Sequence, residues 1–481
     1  MEDNGRSRNS EREEALSKAM RRFALLLLLL TIAPAASAYA GPGEIGIADD
    51  RVLMPGGTLA DRAVAEWSAN GVDTVRIFAL WSRIAPARKP RGFDSDNPAD
   101  PHYQWFFLDQ AVARVRAAGM SVTLNVTGPG PVWSSSKPGR RRGAYRPRPS
   151  SFAAFAEAVA RRYGASVDRY IVWNEPNISA WLAPQASCTR RGCTPVAPHL
   201  YRALVRAAYP AIKAGDPGAQ VVIGALSPRG QRLRNADTVM RPLLFLRRFG
   251  CRSDRWARLT SGGCRGFKPA TGDGFAIHPY SGRSAPERAH PNPDDVSLAQ
   301  ISNLTSTLDR LQRRRGIRST TRRLGIYIDE YGYQTRPPDP IGGIRPHTQD
   351  AWLQRAAYMA WRNPRVKLFT QYLWRDEPRI GGSYAGWQSG LRYINGRAKP
   401  SLAHFDTPFA LDPARNRLWG QVRPGGAHTV TVERRSRGGS WRAFAVVSTS
   451  SRGYWSLTRR LTRGTSYRYR ADGRVSATFT R

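Results

Sequence analysis

The stretch "DRYIVWNEPN", residues 168–177, decides how the chain is read. Tyr170 to Trp173 is a short apolar run of aromatic and β-branched residues, suited to the inside of a sheet. It ends on Asn174-Glu175-Pro176-Asn177: a carboxylate between two amides, with a proline that stops the strand. A buried strand that ends this way is either entering a turn or presenting an acid to a site.

The run is one of a set. Similar runs begin at Glu44, Asp73, Ser121, Gln220, Gly274, Leu324 and Val366, which with Asp168 makes eight. Helical patterns lie between them. "FLDQAVARVRAAG" (107–119) repeats apolar residues at helix spacing and stops on Gly119. "SSFAAFAEAVARRYG" (150–164) opens on a serine cap and stops on Gly164. Residues 298–316 and 348–362 read the same way, and "SLAHFDTPF" (401–409) is a short candidate for the last helix. Eight strands alternating with helices predict an α/β fold, a (β/α)8 TIM barrel. The alternative is an open doubly wound sheet, but no Gly-x-Gly-x-x-Gly follows the first strand.

After about Asp412 the pattern becomes short strand-like runs separated by glycine and charged turns. This predicts a small C-terminal β-sandwich. The expected organisation is an N-terminal extension with a secretory signal peptide over 1–40, a barrel over 41–409 and the β-sandwich over 410–481. Trp441 and Trp455 suit either its core or a stacking surface.

Met20-Arg21-Arg22, an apolar run and the small residues Ala36-Ser37-Ala38 form the expected signal, with Met1 or Met20 as the start. A secreted, extracellular protein is expected, with no transmembrane segment. The four cysteines agree. Three pairings are open, and two local bridges, Cys188 with Cys193 and Cys251 with Cys264, are expected because each pair brackets a polar loop. Their spacing lacks the short zinc pattern, so no metal or cofactor is expected.

The formal charge is +39, and only 7 of the 75 basic residues are lysine. Such a charge suits an anionic glycan or a cell wall as partner. A solvated basic surface is the plain alternative, since the arginines are scattered. No nucleic-acid-reading motif is present, so no specific nucleic-acid partner is expected. A monomer is expected.

In a barrel, functional residues fall just past the C-terminal ends of the strands. Glu175 ends the fourth strand and Glu330, in "YIDEYG", the seventh. Strict alternation puts Asp329 and Glu330 on opposite faces, and Glu330 is taken as the inner one. Two carboxylates across a gap suit glycosidic bond cleavage. One protonates the departing oxygen; the other attacks the anomeric carbon or activates water.

"VWNEPN" and "IDEYG" together resemble the acid/base and nucleophile signatures of clan A glycoside hydrolases, retaining (β/α)8 enzymes, and within them the cellulase-like family 5 and family 39 type. The resemblance covers about residues 44–409. It implies Glu175 as the acid/base, protonated at rest, and Glu330 as the ionised nucleophile. It implies that Asn174 contacts the sugar 2-hydroxyl, that Arg76 and Tyr280 hold the nucleophile, and that Trp374 forms an aromatic floor under the sugar. His278 shares the face of Tyr280 and is expected to line the site. Asn125 and Trp133, placed just past the third strand, are candidate sugar contacts, as are Trp81, Trp181 and Trp387. The implied activity is O-glycosyl hydrolysis of β-linked oligo- or polysaccharides. A non-catalytic glycan- or wall-binding protein on the same fold is the alternative.

Overall fold

A computed structural model describes residues 43–140, 142–379 and 386–481. The expected signal segment lies outside the described residues.

Eight parallel strands close into a barrel in sequential order: β1 (Glu44–Ala48), β2 (Thr74–Leu80), β3 (Ser121–Thr127), β4 (Arg169–Val172), β5 (Gln220–Leu226), β6 (Gly274–Ile277), β7 (Gly325–Tyr331) and β8 (Val366–Tyr372). All eight runs read from the sequence are barrel strands. Closure between β1 and β8 pairs Gly46 with Thr370. A Cβ at Gly46 would lie 2.4 Å from Thr370 Oγ1, so this seam needs glycine. Ile171, Val222, Ala225, Ala276, Tyr327 and Leu368 form the inner cluster. Beside it, Arg169 reaches Glu44 at 2.9 Å, Gln220 at 2.6 Å and Thr123 at 3.1 Å.

The helices around the barrel are α1 (Gly57–Ala69), α2 (Phe106–Ala117), α3 (Pro149–Tyr163), α4 (Ala197–Gly215), α5 (Pro242–Phe249), α6 (Ile301–Arg313) and α7 (Pro346–Arg362). In α3, Phe152, Phe155, Ala156, Val159 and Tyr163 are buried, at i, i+3, i+4, i+7 and i+11. The serine cap expected for α3 is absent. The helix begins at Pro149, whose fixed φ suits the first helical position, and its N-cap residue, Arg148, makes no side-chain cap. The helix expected over 401–409 is a three-residue 3-10 turn, Pro400–Leu402. Ser401 donates to Gln349 at 2.8 Å and His404 pairs with Asp350 at 2.9 Å, which fastens the segment flat against α7.

The C-terminal strands are β9 (Phe409–Asp412), β10 (Arg417–Gln421), β11 (Thr429–Arg435), β12 (Arg442–Ser448), β13 (Tyr454–Thr458) and β14 (Ser466–Ala471). They form two antiparallel sheets, β9-β10-β13 and β12-β11-β14, the second extended by Arg474–Val475 and Phe479–Thr480. The sheets share a core of Phe409, Leu418, Val430, Val432, Trp455, Tyr467 and Tyr469. Trp455 is therefore core, whereas Trp441 is half-buried. This small core is supported by α7. Trp419 meets Tyr358 and Trp361 at 5.6 and 5.8 Å, ring contacts worth about 0.5–1.5 kcal/mol each beyond burial.

Both local disulfides form. Cys188–Cys193 closes the hairpin of Ala186–Thr189 and Gly192–Pro195. Among the described residues no helix is long and apolar enough to cross a membrane.

Candidate active site

Charged side chains from β2, β4, β6 and β7 meet at one mouth of the barrel. Beyond β4, Trp173 and Glu175 both take left-handed φ values, 70° and 37°. By alternation Trp173 would share the inward face of Ile171. Its φ turns it outward instead, where it meets Phe152 of α3 at 5.0 Å. Such backbone costs on the order of 1 kcal/mol or more per residue, so its surroundings must hold it. Glu175 N–H donates to Ala225 O at 2.9 Å. Asn177, fully buried, donates to Ser227 O and Met240 O at 3.2 and 2.9 Å and accepts from Ser227 N–H at 2.9 Å. The proline-asparagine pair thus pins the turn, and Glu175 is left facing the mouth.

His278 is the hub. Its Nδ1 lies 3.1 Å from Glu175 Oε1 and 3.4 Å from Glu330 Oε2, and its Nε2 lies 3.2 Å from Asp329 Oδ2. Burial alone would lower the histidine pKa. The charges of Glu330 and Asp329 outweigh burial, helped by hydrogen bonds to Asp329 and Glu175, and hold the pKa well above its usual value. Such a shift favours the imidazolium form, which can donate from both nitrogens.

Glu330 has two further partners. Arg76 Nη2 donates to its Oε1, and Tyr280 O–H donates to its Oε2 at 3.0 Å. Arg76 is fully buried, 3.5 Å from Asp50 Oδ2 and stacked 4.1 Å over Phe78. Burial raises the Glu330 pKa above the ordinary carboxylate value, while His278 and Arg76 pull it back down. Burial and the Glu330 charge raise the Tyr280 pKa well above its usual value, so Tyr280 stays a donor.

The structure brings Arg76, Asn174, Glu175, His278, Tyr280 and Glu330 together. Asn174 is buried and accepts from Asn125 Nδ2 at 3.4 Å. Asn125 lies inside β3, not past it, and is itself fully buried, so it reaches the mouth only through Asn174. Trp133 does not join the cluster. Its Nε1 donates to Pro86 O at 2.8 Å and its ring meets Trp81, so it joins two loops. Trp81 is core, stacked on Phe155 at 5.7 Å. Trp181 packs on Phe78 at 5.7 Å.

Trp374 is the clearest correction. It is buried away from the mouth, its Nε1 donating to Glu66 of α1 at 3.0 Å and its ring edge-on to Trp67. Leu368 of the inner cluster, Thr370 and Tyr372 share one parity, which would carry Trp374 inside as well, but β8 ends at Tyr372 and the chain beyond it turns Trp374 outward onto α1. Trp387 reaches the cluster instead: it is 38 % exposed and stacks at 5.2 Å on Tyr280, the tyrosine bonded to Glu330.

The Asp329/Glu330 expectation also fails in its detail. Tyr327 is in the inner cluster, so alternation points Asp329 inward and Glu330 outward. A register shift between Ile328 and Tyr331 against β8 breaks the alternation. Both carboxylates then reach His278, and Asp329 is fully buried. Sequence reasoning missed Asp329 in this role. It also missed Asp50, although "ADD" at the end of β1 obeys the same strand-end rule that found Glu175. Asp50 accepts from Phe78 N–H at 2.8 Å, and burial raises its pKa, with Arg76 opposing.

Beside the cluster runs an open groove of ≈ 710 Å³ lined by Asp50, Arg51, Phe78, Arg83 and Gln104, among others. Among the described residues, the one His/Cys/acid group close enough to hold a metal is His199 with Cys251 and Cys264. Both sulfurs are spent in their disulfide, so the trio offers no metal site.

A scan against protein-family models and a search of curated proteins gave no match. Several solved structures are similar to the chain at a low level. A family 1 β-glucosidase from Thermotoga maritima is 15 % identical, with TM-score 0.44 over 71 % of this chain and 83 % of its own. A β-galactosidase from Marinomonas ef1 is 12 % identical, with TM-score 0.43 over 75 % of this chain and 58 % of its own. Bacteroides uniformis β-glucuronidase 2 is 10 % identical, with TM-score 0.43 over 91 % of this chain and 46 % of its own. The chain thus spans about half the length of that last protein. All three scores lie below 0.5, and the functional reading stands on the geometry of the mouth.

Proposed function

We propose that the protein is a secreted retaining glycoside hydrolase that cleaves β-linked oligo- or polysaccharides by double displacement. Its barrel (41–409) is the catalytic unit and its β-sandwich (410–481) an accessory one. One observation carries the reading: a single nitrogen, His278 Nδ1, touches both carboxylates. Glu175 Oε1 and Glu330 Oε2 are therefore no farther apart than the sum of 3.1 and 3.4 Å. Inverting enzymes keep their carboxyl groups about 6.5–9.5 Å apart to seat a water, and retaining ones about 5–5.5 Å. The pair favours the short, retaining geometry.

The roles follow from the contacts. Glu330, held ionised by Arg76 and by the Tyr280 hydroxyl, attacks the anomeric carbon. Glu175 gives its proton to the departing glycosidic oxygen. Water then cleaves the glycosyl ester, with Glu175 taking the water's proton, and Glu330 is released as carboxylate. Asn174, its oxygen engaged by Asn125, has its amide nitrogen left to donate to the sugar 2-hydroxyl. His278 holds the two carboxylates in one frame and Asp329 holds His278, a positioning role. Trp387 offers the apolar face on which the sugar C–H groups stack. A protein that only binds glycan needs neither carboxylate.

Glu330→Gly should abolish turnover of an aryl β-glycoside. Azide should restore it through attack from the vacated face, giving the α-glycosyl azide. Full activity in that variant would end the assignment.

A further inference from the structure

The C-terminal β-sandwich carries 15 arginines against 3 acidic residues over positions 410–481. Several of these arginines converge. Arg415, Arg459, Arg460, Arg463 and Arg481 line an open groove of ≈ 810 Å³ together with Asn416, Thr458, Leu461 and Thr462. No Asp or Glu side chain lines it, and all five arginines are exposed.

The groove has an ordered frame. The segment after β13 is tied down by Arg459 N–H to Asn416 O at 2.9 Å and Thr462 N–H to Tyr467 Oη at 2.9 Å. Leu461 is buried in the sandwich core and anchors the segment between the exposed Arg460 and Arg463. Arg459 is fixed over Phe444 at 4.8 Å and donates to Phe444 O at 3.0 Å. Among the described residues, Arg415 is the one member ion-paired to an acid, Asp412 at 3.1 Å. Like charges gathered on a fixed frame repel one another, and the repulsion is relieved when a polyanion replaces their mobile counterions.

We propose that this groove binds a strand of anionic polysaccharide, a glycan bearing carboxylate or sulfate groups, and so tethers the enzyme to its polymer. Guanidinium forks match carboxylate and sulfate oxygens pairwise. The groove is open, as a continuous chain requires. The tether deepens the hydrolase reading without sharing its residues, so the two can fail separately.

The test uses the whole chain, immobilised polygalacturonate and dextran sulfate, and a NaCl gradient. Arg460→Glu/Arg463→Glu should weaken binding to one or both polymers about tenfold or more at low salt. Arg258→Glu/Arg318→Glu is the charge-matched control. It alters a second arginine-lined groove, beside the short strands Ala270–Gly272 and Ile317–Ser319. The control should bind like the parent. The two polymers tell a carboxylate glycan from a sulfated one.

Hydrolysis of a small neutral aryl β-glycoside should stay within twofold in the Arg460/Arg463 variant. Glu330→Gly should bind both polymers normally while no longer turning over the aryl β-glycoside. Equal losses in the two double variants would reduce the effect to diffuse charge and overturn the proposal. Unchanged binding in Arg460→Glu/Arg463→Glu, or tighter binding to DNA than to either polysaccharide at equal salt, would overturn it too.

Discussion

Arg76 and Arg468 make the same contact in two places. Each sets its guanidinium 4.1 Å from an aromatic centroid, Arg76 over Phe78 in the barrel and Arg468 over Trp441 in the β-sandwich. Arg76 has no exposed side-chain surface and is held between Glu330 and Asp50. Arg468 is 20 % exposed and pairs with Glu433 at 2.6 Å. The local geometry is shared; the dielectric is not. In the mouth Arg76 is cut off from solvent and its charge falls on Glu330 and Asp50. At the surface it is screened within about 8–10 Å at ordinary salt, and what survives is net attraction for a polyanion. Burial separates a charge committed to fixed partners from one open to solvent.

Four changes probe that division, in order of expected effect. Glu175→Gln should cost about 10²–10⁴-fold on a glycoside with a poor leaving group, where proton donation is needed. The loss should be much smaller with a good nitrophenolate leaving group. Equal losses on both, in steady-state assays, would mean that Glu175 is not the acid.

Lys399→Met tests what a buried pair is worth. Lys399 and Asp376 meet at 2.7 Å with no exposed side-chain surface. Burial lowers the Lys399 pKa to about 8 and raises that of Asp376 to about 6, each partly restored by the other. Removing the ammonium strands the carboxylate, at a cost of about 3–5 kcal/mol near pH 8. Without the lysine that holds its pKa down, Asp376 takes up a proton in the folded state as the pH falls and the stranded charge vanishes. The destabilisation should therefore shrink between pH 8 and pH 5, as read from thermal melts. A loss that grows toward pH 5 would contradict the sign.

Asp329→Asn removes a carboxylate that helps raise the His278 pKa while leaving an oxygen on its Nε2. The His278 titration midpoint should fall, as followed by NMR of labelled histidine, and kcat should drop on the order of tenfold as the two glutamates lose their frame. An unmoved midpoint would assign Asp329 to packing alone.

Trp441→Ala should be the mildest. It removes a ring shared by Arg435 and Arg468, worth about 0.5–1 kcal/mol at an exposed site, and should leave turnover of a small glycoside unchanged. A large loss of activity would join the two regions that burial is said to separate.

The sequence alone determined the eight strands, both disulfides, the change of pattern near Asp412 and the two glutamates at strand ends. Each rests on a signal a few residues long: a strand's period, two cysteines bracketing a loop, an acid stopped by proline. The tertiary structure decided which side chains share a site. Arg76 and Glu330 touch although they are 254 residues apart, and no local pattern encodes that pairing. The left-handed backbone at Trp173 and the register shift in β7 each reverse the alternation that a sequence reader must assume. Trp374, expected beneath the sugar, has the inward parity of Leu368 but lies past the end of β8, where the chain turns it onto Glu66, while Trp387 stacks on Tyr280 from a loop without periodicity. Asp329, on paper a neighbour pointing the other way, supports the histidine that joins both acids. Periodicity is a property of a segment and can be read from it. Which face a residue finally presents depends on the strands beside it, and those are set only when the barrel closes.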